Sequence, residues 1–520
     1  MSRKVLSRSI AAAITTVPLL LGTVSLTAAQ QITEPLVIAS HRAINTLDPT
    51  AMNQAWQLRW GVGETLMTMT PEGEPVPWLL ESLVNIAPTQ WELVLREGIS
   101  FQNGTTLNAE RLAAFLEYQS ANSTLAGALL PDLQAEVTGD YTVVITTPEP
   151  DSVVPRKLVQ YNAFVVYDLD AVRAANGDED AFAASGYMTG PFVVESYSDT
   201  ELVLTRNENY WQGTPPLPGV RVLNIPDAQA RLTAVRAGEA HWARQMSVDY
   251  GPLLENDPQA FFLQADWESS IRIEMNQAVP PLDEIPVRRA LSLAIDYREI
   301  AEDFMAGYMS TATGLYPAEF AGSLANQITD QSAAAALLDE AGWVDSDGDG
   351  IRDRDGEDLR IVLLATGGRS DHVTMALAVE QQLAPIGIDI EVQQVERVGD
   401  IALETDDWNA AVVSNGTLSQ WSGSYETQLT RYHLSDSVQN YGRTADPELD
   451  QLAADLISEF DPDRKLELFQ QLQRLMVEER AYLIAVTMQR PSLVVDETYQ
   501  DYQLSNWFRH FRWDTVPTNP

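Results

Sequence analysis

The chain has 520 residues, 45% of them hydrophobic, with 33 lysines and arginines against 74 aspartates and glutamates and a formal net charge of −41. A polyanion of this kind does not hold a phosphate backbone by counterion release, so nucleic acid is excluded as a partner, and an anionic membrane surface with it. The apolar fraction and the interspersed charge call for folded domains, about three by length, rather than an acidic disordered polymer.

Residues 1–29 have the layout of a secretory signal peptide. Arg3, Lys4 and Arg8 make a basic start, Ile10 to Leu26 is apolar and small, and Thr27-Ala28-Ala29 offers small residues for a cut near Ala29. A membrane anchor is the alternative, weakened by the threonines, Pro18 and Gly22. Losing the three bases takes the charge from −41 to −44. No later stretch approaches the roughly 18 apolar residues of a membrane span. The chain has no cysteine, which rules out a cysteine-linked lipid, disulfides, thiolate metal sites and thiol nucleophiles. The expectation is a protein working free in an exported space such as the periplasm.

Strand and helix patterns then alternate, without a repeat. Tyr141 to Thr147 is β-branched and alternating, as a half-buried strand should be. Asp345-Ser-Asp-Gly-Asp-Gly-Ile-Arg-Asp353 places Asp345, Asp347, Asp349 and Asp353 at positions 1, 3, 5 and 9 of a calcium-type loop, with Gly350 at the turn and the carbonyl of Ile351 at position 7. Gly356 replaces the usual bidentate glutamate. The competing reading is an acidic turn leading into a strand at Leu359. Leu359 to Ala365, Met375 to Leu383 and Ile388 to Val395 predict strand, helix and strand, the helix stopped by Pro385 and Gly387. Ala410 to Val413 reads as another strand. Asp446-Pro447 and Asp461-Pro462 each supply a helix N-cap and a first-turn proline. Leu449, Leu452 and Leu456, then Leu466, Phe469, Leu472 and Met476, form the apolar stripes that follow. No Gly/Ser-rich or Pro-rich tether divides the chain, so its domains are joined by short crossovers.

Nothing supports catalysis. His41, His241, His372, His433 and His510 are scattered and never at metal-ligand spacing, and neither a nucleophile elbow nor a phosphate-cradling loop occurs. A secreted peptide hydrolase, the rival from another class, would need a nucleophile–base pair or a metal cluster that this set does not supply. The 12 tryptophans and 17 tyrosines suit a core, and equally the walls of a ligand pocket.

A series of short segments, in register along the chain, resembles extracellular solute-binding proteins of family 5, which serve dipeptide, oligopeptide and nickel ABC importers. They are Thr46-Leu-Asp-Pro49, Gly73 to Ser82, Leu95 to Gly104 with Asn108-Ala-Glu110, and Thr189-Gly-Pro-Phe192. Arg206-Asn-Glu-Asn-Tyr-Trp211, Pro286 to Leu291 with Ala294-Ile-Asp296, and Ala335 to Trp343 complete the series. The resemblance implies an α/β, two-lobe periplasmic binding protein (type II, cluster C-like) with an extra subdomain inserted in lobe I. Lobe I would span 32–266, with the inserted subdomain at about 61–185. Lobe II would span 267–486, and a C-terminal tail, 487–520, would return to lobe I. The crossovers near Trp267 and Gln489 would be the hinge. A monomer, needing no cofactor, would close on a solute and present it to an inner-membrane permease.

For the ligand, Asn207 to Trp211, Ala481-Tyr-Leu-Ile and Pro75-Val-Pro-Trp78 resemble the nickel-type branch most. Trp421 and Tyr425 are similar to that branch's cleft aromatics, and His433 falls where a metal-contacting histidine is expected. The sequence departs from both known anchors: Glu117 to Leu130 carries no arginine for a metallophore, and Ser422-Gly-Ser424 replaces the aspartate that holds a peptide amine. Glu426 is the nearest acid to substitute. Met52 and Trp56 are candidates for lining the cleft. Arg59, Arg431 and Arg443 could pair a ligand carboxylate, with protein acids competing for each. The implied ligand is thus an oligopeptide-like or metallophore-like solute.

The charge then describes an environment. An acid-rich, lysine-poor exported surface stays hydrated in strong salt, as in halophiles, so a saline habitat is expected.

Overall fold

The computed structural model describes residues 32–41, 44, 46–50, 55–70, 73–161, 163–265, 269–414, 424–490, 492–504 and 512–518. The expected signal segment, Met52, Trp267, Trp421 and His510 lie outside them. Among the described residues no helix is long and apolar enough to cross a membrane.

Two large mixed sheets organise the chain. The first has seven strands, in the order Phe192–Tyr197, Glu201–Arg206, Gly219–Asn224, Leu36–Ser40, Trp242–Arg244, Ser492–Val495 and Phe261–Gln264. Its centre is parallel: Leu36–Ser40 pairs with Gly219–Asn224 on one side and with Trp242–Arg244 on the other. All five residues of Leu36–Ser40 are buried, the pattern of a strand covered on both faces. The second sheet has six strands, in the order Met309–Thr311, Leu483–Gln489, Ser269–Met275, Ala410–Val413, Arg360–Thr366 and Asp389–Val395.

The predicted strand–helix–strand unit is Arg360–Thr366, Ser370–Leu383 and Asp389–Val395, with the two strands parallel and Leu363 opposite Val392. Its helix begins five residues before the predicted Met375. The first turn, Ser370-Asp371-His372, is polar because it abuts the other half of the molecule, so apolar spacing cannot reveal it.

A third, four-stranded antiparallel sheet carries Leu80–Ala87, Gln90–Leu95, Thr142–Thr146 and Gln134–Gly139. Val143 and Ile145 are fully buried between half-exposed threonines and Val144, as the alternation predicted. The helix Ala109–Asn122 covers this sheet through Leu112, Phe115 and Leu116, its N-terminus capped by Asn108 accepting from the Arg111 N–H at 3.1 Å. These side chains share one continuous core with Leu36, Ile38 and Trp242 of the first sheet. The second sheet has its own core, built from Ile271, Ile273 and Met275 against Leu291, Met375 and Phe469.

Among the described residues the chain crosses between the large sheets twice, after Phe261–Gln264 and after Leu483–Gln489. Residues 487–489, assigned to the tail from sequence, pair with 269–271 and extend the second sheet. The tail's own strand, Ser492–Val495, is antiparallel to Trp242–Arg244 and Phe261–Gln264 in the first sheet.

The two late helices are Pro447–Ser458 and Pro462–Arg474, capped by Asp446 and Asp461 as expected. The stripe on the second needs a correction: Leu466 is 42% exposed, and Leu468 takes the buried place. At about 100° per residue, Leu466 stands about 60° round from Phe469, at the edge of the buried arc.

Candidate functional site

In open α/β sheets, ligands bind at the carboxyl ends of parallel strands. Here those ends face one another. In the first sheet they are Ser40 and Arg244; in the second, Thr366 and Val413. Ser370, just past Thr366, donates to Ser247 Oγ at 3.0 Å and to Asp249 Oδ1 at 3.1 Å, in the segment after Arg244. Val248, between them, is buried in the second sheet's core. The border is ordered on the second-sheet side by Arg369, whose Nε meets Asp371 at 3.0 Å and whose Nη1 meets Ser414 at 2.5 Å. Burial acts to raise the Asp371 pKa, but the Arg369 charge outweighs it and holds the carboxyl below its usual range. Burial, reinforced by the same guanidinium, pushes His372 down to about 3.

The half with the first sheet includes the short helix Ala55–Arg59. Trp56 is 8% exposed and packs into the large core of that half. Arg244 lies over the Trp60 ring at 4.9 Å, and its charged neighbours are Arg59 and Arg231. Arg231, whose Nε is buried without a partner, donates to three carbonyls: Ile225 at 2.9 Å, Pro226 at 2.7 Å and Gln245 at 3.0 Å. The last of these pins Gln245 at a φ of 51°, a left-handed turn unusual for a non-glycine residue.

In the second half, the helix Tyr425–Tyr432 is begun by Ser424 accepting from the Thr427 N–H at 3.0 Å. Tyr425 stacks on Phe469, ring centroids 3.9 Å apart. Glu426 is 1% exposed and already has a cation: Lys465 Nζ lies 3.1 Å from it and also donates to Ser152 Oγ at 2.8 Å. Burial acts to raise the Glu426 pKa, but Lys465 and Arg156 prevail and keep the carboxylate charged. Its second oxygen, Oε2, has no partner among the described residues. His433 ends the helix, 2% exposed, with Glu274 and Arg272 as the charges facing it. Burial lowers its pKa to about 4, leaving a neutral ring in the lobe interior.

Several predicted site residues are therefore near one another, though not as one cluster. Tyr425 and Glu426 lie at one helix start, His433 at its other end, and Trp56 in the opposite half. Arg443 is paired with Asp406 at 3.1 Å, and Arg431 with Gln439 at 2.6 Å, so protein groups hold both. Sequence reading missed Arg244 and the buried Arg272–Glu274 pair. For the pair a signal existed, since charges interrupt an otherwise apolar strand at alternate positions; for Arg244 there was none.

In the acidic loop, carboxylate oxygens of Asp345, Asp347 and Asp349 all lie within 4.8 Å of one another, and all three residues are exposed. Asp353 does not join them: it accepts from Ser346 N and Oγ, both at 2.8 Å. The residue at position 9 is thus spent on closing the loop, contrary to the expectation for a ligand.

Two α/β sheets joined by two crossovers, with opposed carboxyl ends, define a bilobal binding protein. The family model of bacterial extracellular solute-binding proteins, family 5 (middle region), matches residues 74–441, and the chain belongs to that family. It is 24% identical over 457 residues to the nickel-binding periplasmic protein of Escherichia coli (strain K12), covering 81% of this chain and 83% of that one. It is 26% identical to the glutathione-binding protein of the same strain over 406 residues, 75% and 76% of the two chains. Among solved structures, NikA from Brucella suis in complex with Fe(III)-EDTA superposes with a TM-score of 0.79 at 20% identity, covering 94% and 100% of the two chains. The oligopeptide-binding AppA from Bacillus subtilis, in complex with a nonapeptide, gives 0.71 at 21% identity and covers 90% and 95%.

Proposed function

We propose that the protein is the periplasmic substrate-binding component of an ABC importer, capturing a peptide-like or metal-chelate solute between its lobes and delivering it to the membrane permease. The observation that carries this reading is the family membership of a chain whose two sheets meet at their carboxyl ends across only two crossovers. Relatives named for nickel, glutathione and oligopeptides support a small solute of this range. In this reading lobe I is 32–266 with its inserted subdomain at about 61–185, and lobe II begins at 267. The mature protein starts after Ala29 and acts as a monomer, without chemistry. Met52, Trp56, Trp421 and Tyr425 line or support the cleft. Glu426 and His433 are taken up by lobe II's own charges, and a direct ligand role for them is the weaker alternative.

Tryptophan fluorescence of the mature protein, titrated with di- to pentapeptides and with nickel–histidine, tests the reading. A saturable change without peptide cleavage is expected; cleavage products would overturn it in favour of a hydrolase.

The loop at Asp345, Asp347 and Asp349 is a structural calcium site in the same proposal, with the Ile351 carbonyl and water completing the oxygen shell. Three clustered carboxylates on two left-handed glycines, Gly348 and Gly350, support it.

A further inference from the structure

Four arginines are buried among the described residues; the side chains of three have a protein partner, although Arg231 Nε and both Arg272 Nη atoms are buried without one. Arg231 and Arg288 are held by backbone carbonyls, and Arg272 by Glu274. Arg244 is the exception. Its side chain is 4% exposed, Nη1 is buried without a hydrogen-bond partner, and no acid pairs with it among the described residues. Its charged neighbours, Arg59 and Arg231, are both cations, so burial and like charge together push its pKa well down. Acids outnumber bases 74 to 33 in this chain, so the lack of an acidic partner here is not for want of acids. A buried cation without a counter-ion is costly unless something else supplies the negative charge.

The position says what that is. Arg244 ends the strand Trp242–Arg244 at the carboxyl edge of the first sheet, and the residues that follow, 247–249, touch the second lobe. The turn that aims it is held at Gln245 by Arg231. Its flat guanidinium lies on Trp60, which orients the fork while leaving its edge available.

We propose that Arg244, with Arg59 beside it, is the anchor for a free carboxylate of the captured solute. This rests on the solute-binding reading and narrows it: the ligand is a carboxylate-bearing anion, such as a free-acid peptide or an amino-acid chelate of a metal, and not a neutral or amidated compound. Planar carboxylates match a guanidinium edge through two parallel hydrogen bonds. A phosphate would call for the extra donors of a lysine or a backbone nest.

The test uses the mature protein with two peptide pools of identical sequences, one with free C-terminal carboxylates and one amidated. Nickel–histidine and nickel–histidinamide form a parallel pair, and inorganic phosphate a separate arm. Capture is read by native mass spectrometry and tryptophan fluorescence. The free-acid probes are expected to bind and their amides to bind roughly 100-fold more weakly, with Arg244→Met losing a similar factor and Arg244→Lys recovering part of it. Arg244→Met is expected to melt no lower than the wild type, since it removes an unpaired buried charge. Equal capture of acids and amides, or unchanged binding by Arg244→Met, overturns the anchor and leaves the solute-binding reading intact. Phosphate binding that depends on Arg244, with no preference for acids over amides, reassigns the site and also overturns it. Capture of no probe at all removes the solute class and the anchor with it.

Discussion

Glu426 illustrates how a buried charge is decided by its partners. Its carboxylate is neutralised by Lys465, which also bonds Ser152, 313 residues earlier in the chain. Replacing Lys465 by methionine removes the paired cation from that buried carboxylate and leaves it the Arg156 charge, at a cost of about 3 kcal/mol. The loss is expected in full at pH 7 and to shrink near pH 4, where the freed carboxyl takes a proton; urea melts at the two pH values measure it. His433 acts with the opposite ionisation but the same direction in pH. Its folded pKa, about 4, lies below the roughly 6.5 of an unfolded chain, so folding favours the neutral ring. The stability this contributes is complete above pH 6.5 and falls away as the pH drops towards 4. His433→Gln is expected to reduce the slope of unfolding free energy by about 1.4 kcal/mol per pH unit within that window. A slope identical to the wild type's would contradict a buried, neutral His433.

At the scale of elements, the helix Pro462–Arg474 separates packing from mere apolarity. Phe469 is 1% exposed and stacks on Tyr425, whereas Leu466 is 42% exposed. Phe469→Ala is expected to cost about 3–5 kcal/mol and Leu466→Ala less than about 1 kcal/mol, by chemical denaturation. The acidic loop gives a second element-scale outcome. Millimolar calcium is expected to raise the melting temperature of the wild type by a few degrees through mass action, and not that of Asp347→Asn. Magnesium serves as the control, because its small octahedral shell fits such a loop poorly.

At the scale of the molecule, the net charge of −41 repels itself wherever salt does not screen it. Melting temperature is expected to rise from low to molar potassium chloride. Indifference to salt would remove the inference of a saline habitat. The contact of residues 152–160 with the helices Tyr425–Tyr432 and Pro447–Ser458 has the same scale: Gln160 donates to Thr427 at 3.2 Å, and the Ser152 N–H donates to the Ile457 carbonyl at 2.9 Å. These bonds join segments far apart in sequence.

What the sequence determined by itself was local, together with the family. Alternation placed Thr142–Thr146, caps and prolines placed the late helices, and motifs in register identified the solute-binding class. Such signals survive because each depends on neighbours within one or two turns. The site was only half legible. Tyr425 and Glu426 could be named from a motif, but that Glu426 is matched by Lys465 and Arg443 by Asp406 follows from pairings between distant segments. Arg244 was invisible for the same reason, since an arginine in a short strand looks alike whether or not an acid stands beside it. Which charges are left without a partner is decided only when the chain is folded, because burial and pairing are properties of the assembled interior.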